Sequence, residues 1–325
     1  MEQNSVHVTT PITMERDLEE MHSLSVIGIY KESFKLIFNL RKIFAQITLT
    51  LILPLSLIFL SQKHISDLLY RKIHYLHNLG LPAYIALHLL YFILTLLIFS
   101  LPSTAAVIYT VSSHYASRDL SFSKITRAVP RVCWPRLAVA FVCAVLSLAA
   151  YNIPFGAFYF MFWGGVTYLF VLMMHTIGLV QLIIACQLAG VVCVLEGWRG
   201  FGAVVKGNRL AKGRMMELCF VLVGVDAVII GVNVGFMFFV MWGGSGRVGM
   251  EVGLGAVCVV VVTVAILVGS VAQTVAYFVC KADKGESVDR AVLAWHLGKY
   301  DDEGSSAEAE ADPKDDVQVE EGDRV

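Results

Sequence analysis

Four polar residues stand inside otherwise apolar stretches of this chain and could act together: Gln187, Asp226, Asn233 and Gln273. A charge within hydrocarbon is costly, so such a group faces the interior of a helix bundle or a water-filled cavity. Asp226 lies about ten residues into its apolar run, which at about 1.5 Å per residue puts it near the middle of a bilayer. Asn233 follows two helical turns later on the same face. Gln187 and Gln273 lie about 10–12 Å from the ends of their own runs by the same rise. The depths agree, so the sequence predicts one polar cluster that could hold a proton, a cation or a lipid headgroup. The same residues also fit an interhelical clamp with Asp226 protonated, worth about 0.6–2 kcal/mol per bond.

Other chemistry-bearing residues are arranged less tightly. His64, His74, His77 and Asp67 share one short segment, and His88 follows. Zinc sites want three or four ligands in a definite pattern, and with no cysteine in that segment we assign no metal. His175 reads as a packed or pore-facing group. Cys143, Cys186, Cys193, Cys219 and Cys258 fall in or at the ends of apolar runs, so no disulfide framework is expected. Cys133 and Cys280 stand at the edges of such runs, where acylation is common, although buried free thiols are the simpler reading. Gly231 and Gly235 form a small-xxx-small pair, a surface on which another helix could pack closely. The sequence has no Walker loop, nucleophile elbow, H-E-x-x-H or dinucleotide fingerprint. Asp226 also lacks a second carboxylate at its depth. No catalytic residue, cofactor or nucleic-acid partner is expected.

The elements that must position these groups are membrane-spanning helices. Hydrophobic residues make up 57% of the chain and charged residues 16%, far from soluble proportions of about 45–50% and about 25%. Crossing hydrocarbon takes about 20 apolar helical residues. Six stretches reach that scale: Phe44–Leu60, Leu81–Val111, Leu137–Ile153, a segment within Gly165–Leu195, Met216–Trp242 and Val252–Cys280. The expected fold is an all-α polytopic bundle of about six spans. Tyr151–Tyr168, aromatic and containing Pro154, reads as a turn with an interfacial aromatic belt, or as a re-entrant segment.

Charge gives the orientation. With six spans, 21 of the 25 Lys and Arg residues fall on one side; the other side holds Lys63, Arg71, Lys72 and Arg247. Positive loops stay cytosolic, so both termini are expected there. No cleavable signal peptide is expected at the start. Residues 1–22 form a cytosolic segment, 23–300 the membrane domain, and 301–325 an acidic tail with the composition of a disordered chain. Ser23–Phe44 places Ile27, Tyr30, Phe34, Ile37 and Phe38 at helical spacing beside Lys31, Lys35, Arg41 and Lys42. Such a helix would lie in the headgroup plane with its cations on anionic lipid. Leu120–Arg136 repeats this theme, as does Phe201–Met215 with Lys206, Arg209, Lys212 and Arg214. The chain therefore reads as three units of interfacial helix followed by hairpin.

Val191-Val192-Cys193-Val194-Leu195-Glu196, then Gly200-Phe201, Ala203, Lys206 and Leu210-Ala211-Lys212-Gly213-Arg214, resemble the signature of an uncharacterised family of plant six-span membrane proteins. Gln273-Thr274-Val275-Ala276-Tyr277-Phe278-Val279-Cys280-Lys281 is similar to that family's last span. More remotely, Gly200–Arg214 resembles the membrane domain attached to some bacterial glycerophosphodiester phosphodiesterases. The family usually has a small hydroxyl residue where this chain has Gly207. The resemblance implies the fold and an endomembrane or plasma-membrane location in a plant cell. It carries no phosphodiesterase activity, because the chain has no soluble barrel to hold that site.

Two functional expectations follow. The first, which demands fewer unseen features, is a non-catalytic membrane-organising or adaptor protein. Its basic helices would grip the anionic cytosolic leaflet, and its tail or bundle would take a protein partner. The alternative is a small-solute or lipid transporter using the cluster around Asp226.

Overall fold

The computed structural model describes residues 24–61, most of 90–129, 134–161, 165–242 and 248–285. These residues are helical, with no strand among them. In chain order the helices are α1 (Val26–Asn39), α2 (Arg41–Ser61), α3 (Leu101–Tyr115), α4 (Trp134–Met161), α5 (Val166–Leu195), α6 (Phe201–Ala211), α7 (Met215–Phe238, helical on to Trp242) and α8 (Val248–Asp283). Five of them, α2, α4, α5, α7 and α8, are long and apolar enough to cross a membrane. The protein is an all-α polytopic bundle.

The expected second span begins outside the described residues. Its described part is α3, entered through the π-helical turn Leu96–Ser100. This helix is rich in Ser, Thr and Ala, and almost every residue from Leu101 to Tyr115 is buried among its neighbours. Its hydroxyls bond their own helix, Thr110 Oγ1 donating to Ala106 O at 2.7 Å and Ser103 Oγ to Ser100 O at 2.9 Å. A core helix with small side chains lets neighbouring backbones approach closely, which matters where no water drives helix association.

The aromatic stretch after Tyr151 is a correction to the sequence reading. It is not an extended turn from Tyr151 on: α4 continues through Pro154 to Met161, and α5 begins at Val166. Pro154 removes one helical N–H but does not break the helix. In hydrocarbon an opened backbone has no water to take its hydrogen bonds. Rings of α4 also stack on His175 of α5, with Phe155 4.5 Å and Tyr151 5.4 Å from it between centroids.

The buried core lies at one end of the bundle. It joins Phe44 and Ile47 of α2, Ile184–Leu195 of α5, Leu218–Leu222 of α7 and Val271–Cys280 of α8. The chain segments carrying Leu24, Glu196, Arg214 and Asp283 meet at this end, where Arg214 donates to Leu24 O at 3.3 Å and stands 3.7 Å from Asp283. We call it the basic end. Here α6 folds back on α5 through Gly207, where any Cβ would come within 2.6 Å of Ala185 O and 3.0 Å of Ala189 N.

α1 docks on the bundle by a face the sequence did not single out. Ile29, Ser33 and Leu36 are buried, and Tyr30 donates to Val221 O at 3.0 Å. The expected apolar stripe is split: Ile27, Phe34 and Phe38 stay exposed, while Tyr30 and Ile37 are half-buried. The Val221 carbonyl is available because Cys219–Val223 is a π-helical turn. The π-turn before α3 is used the same way, Trp134 Nε1 donating to Leu97 O at 2.8 Å.

Candidate functional site

Gln187, Asp226 and Gln273 come together as expected. Gln187 Nε2 donates to Asp226 Oδ2 at 2.7 Å, and Gln273 Nε2 donates to Gln187 O at 2.5 Å. Three helices, α5, α7 and α8, thus meet through polar groups at one level. The three residues share a cavity of about 510 Å³. Ser100, Thr104 and Ser270 add hydroxyls to its wall, and Leu55, Phe59, Ile183 and Ile266 supply apolar surface. Gln187 Oε1 is buried and has no hydrogen-bond partner among the described residues. At the rim Ile230 is 61% exposed, so the cavity opens through the side of the bundle rather than being sealed within it.

Two π-turns shape this cavity. Leu96–Ser100 ends at Ser100, and Cys219–Val223 brings Leu222 and Val223 to the wall three residues before Asp226. Such bulges widen a helix locally and recur at functional sites. The serines and threonine of the wall carry no sequence signal that separates them from ordinary helical hydroxyls.

Asn233 does not join the cluster. It lies two turns farther along α7 and donates to Ile229 O of its own helix at 3.0 Å. Gly231 and Gly235 face away from the other described helices, with nothing among the described residues within 4 Å of a Cβ placed on either. Close approaches are made instead by Gly207 of α6, against α5, and by Gly269 of α8, whose Cβ would meet Val225 Cγ1 at 2.7 Å.

A second polar site lies at the basic end and was not singled out from the sequence. Glu196 follows α5 and accepts from Tyr277 at 2.6 Å and Lys281 at 2.7 Å, with Lys206 at 3.9 Å. Burial opposes ionisation of Glu196. The hydrogen bonds from Lys281 and Tyr277 and the charges of Lys281 and Lys206 outweigh it, and hold the carboxyl below its ordinary value. The signal was present in the sequence: Glu196 is the lone acid in a basic segment. This network ties α5, α6 and α8 into one unit.

A family model described as a domain of unknown function, DUF8558, matches residues 14–321. The chain belongs to this family. No curated protein and no solved structure matches it. The DUF8558 match spans both polar sites, so both fall within the family domain.

The cations expected on lipid headgroups divide into two sets. Lys31, Lys35, Arg41, Lys42, Arg209 and Lys212 are exposed. Lys206 and Arg214 are not free for lipid: their side chains are only 16% and 15% exposed, Lys206 against Glu196 and Arg214 against Glu217 and Asp283. Glu217 lies three residues from Arg214 and Glu196 ten from Lys206, and only Asp283 comes from a distant part of the chain, on α8. Cys280 is 1% exposed, which closes it to acylation; Cys133 lies outside the described residues. So do His64, Asp67, His74, His77, His88 and the acidic tail. Among the described residues no group of His, Cys, Asp and Glu has the arrangement of a metal site. His175 sits in an aromatic box, its Nδ1 2.6 Å from the Tyr159 hydroxyl.

Proposed function

We propose that this DUF8558 protein is a non-enzymatic integral membrane protein that binds an amphipathic small molecule, a lipid or lipid-like solute, and moves or presents it within the membrane. The observation that carries this reading is the side-opening cavity with Gln187, Asp226 and Gln273 on one wall and apolar side chains on the others. Few convergent polar groups in a mostly apolar cavity are what a small-molecule site requires. A volume of about 510 Å³ takes a headgroup with part of a chain, or a small amphiphile, rather than a bare ion. The cluster offers one carboxylate and no nucleophile–base pair, which supports binding over catalysis.

Both termini are placed in the cytosol in this reading. The support is the clustering of Lys and Arg in the segments that meet at the basic end. A membrane-organising role is the second reading. Ile27, Phe34 and Phe38 stand exposed on α1 beside Lys31 and Lys35, the composition of a helix that lies in an anionic leaflet.

Native mass spectrometry of protein extracted in mild detergent tests the first reading. Wild type is expected to retain a lipid or solute at fixed stoichiometry, and Asp226→Asn, of the same shape, to lose it. Retention by the variant, or a bare wild-type mass, would turn the cluster into structural glue and leave the organising role.

A further inference from the structure

At the start of α2 a groove runs down the outside of the bundle. Its walls are Phe44, Ala45, Leu49, Leu53 and, from α8, Leu267, and its volume is about 330 Å³. Arg41 lines it at the junction of α1 and α2, with Ile37 of α1 beside it. From Arg41 to Leu53 the helix rises about 18 Å, close to the depth of one leaflet of a hydrocarbon core about 30 Å thick. The groove is therefore one leaflet deep, apolar along its length and cationic at the surface.

Its shape comes from two local features. Leu40, with φ −103° and ψ 27°, interrupts the helix between α1 and α2. Thr48–Ile52 is a further π-turn, and its first residues line the groove. Thr48 Oγ1 is buried and has no partner among the described residues, whereas Thr50 Oγ1 donates to Gln46 O at 2.7 Å. Neither Arg41 nor the adjacent exposed Lys42 pairs with an acid among the described residues, whereas Lys35 already holds Glu32 at 3.4 Å. A guanidinium presents a planar fork that matches phosphate oxygens, and an unpaired one at the membrane surface favours an anion.

We infer that this groove is a binding site for one anionic phospholipid, its phosphate on Arg41 and an acyl chain along Phe44, Ala45, Leu49, Leu53 and Leu267. The site is separate from the cavity around Asp226 and shares no lining residue with it. It would fix α1 against the membrane surface by a specific lipid rather than by general charge.

The test is lipid retention by full-length, delipidated protein offered phosphatidylglycerol or phosphatidylcholine, read by native mass spectrometry. It is run in wild type and in an Asp226→Asn background, so that lipid at the central cavity is counted apart. One phosphatidylglycerol per chain is expected, preferred about fivefold over phosphatidylcholine, the factor that one cation at a membrane surface supplies. Arg41→Gln should erase that preference. Ala45→Trp, at an exposed position, should fill the groove and abolish retention without lowering the melting temperature. Wild-type retention and preference in either variant would overturn the assignment. So would stabilisation by inorganic phosphate equal to that by the lipid, which would make the site one for free phosphate.

Discussion

Gln187 and Asp226, 39 residues apart in the chain, hold each other at 2.7 Å across α5 and α7, and the backbone carbonyl of the same Gln187 takes the amide of Gln273. One residue thus links three helices at the level of the cavity. Its side-chain amide donates while its own Oε1 has no partner among the described residues. The arrangement keeps the Asp226 carboxyl oriented and leaves one acceptor for a guest.

Removing the donor should cost more than removing the charge. Gln187→Leu leaves the carboxyl without its partner in an apolar cavity, and a melting-temperature loss equivalent to about 1–3 kcal/mol is expected. Asp226→Asn keeps an acceptor for Gln187 and should stay within about 1 kcal/mol of wild type. Thermal unfolding in detergent measures both. Equal losses would mean that the pair contributes packing and no electrostatic support. In the double variant the losses should not add, because the two residues share one bond.

Gly207 permits α6 to lie on α5. A methyl group there would press within 2.6 Å of the Ala185 carbonyl, a backbone atom that cannot swing aside. Gly207→Ala is expected to destabilise by about 1–3 kcal/mol through overpacking, whereas Gly202→Ala, near the movable ring of Trp198, should cost less. An unchanged melting temperature for Gly207→Ala would show that α6 moves away from α5 freely.

The sequence reading succeeded where one dimension was enough. Depth along a helix follows from counting residues, and counting placed Gln187, Asp226 and Gln273 together. It failed where azimuth and partners matter. Asn233 shares a face with Asp226 but sits two turns away and satisfies itself on Ile229. Lys206 and Arg214 looked like headgroup contacts because counting along one helix does not show Glu196, across the turn after α5, or Asp283, on α8, closing on them. Pro154 read as a breaker because propensity reflects helices in water, and stacked rings across α4 and α5 override it. The cavity was not legible, since it depends on two π-turns that no residue pattern marks.

Gly231 and Gly235 carry the opposite expectation to Gly207. Both have open space where a Cβ would go, so Gly231→Leu and Gly235→Leu should leave monomer stability within about 0.5 kcal/mol. If a second copy packs on this face, the same variants should abolish a cross-linked dimer formed by wild type in native membranes. A stability loss in strictly monomeric protein would show instead that another part of this chain covers the pair.

Glu196 makes the basic end sensitive to acid. Its carboxyl is held below the ordinary value chiefly by Lys281 and Tyr277, against the opposing effect of burial. A depressed folded value means that the unfolded chain binds the proton first. The stabilisation is therefore full above the unfolded value, about 4.3, and is lost as pH falls through the lower folded value. At pH 7, Glu196→Gln is expected to lower stability by about 1–3 kcal/mol, because it leaves Lys281 without its charged acceptor. As pH falls through the lower folded value, wild type should converge on the variant, since both then present a neutral side chain. Melting temperatures of the two proteins between pH 7 and pH 3 supply the comparison, with their difference removing the contribution of other carboxyl groups. A difference that stays constant to pH 3 would mean that Glu196 acts through shape and hydrogen bonding alone, and that the charge shared with Lys281 and Lys206 does not hold α5, α6 and α8 together.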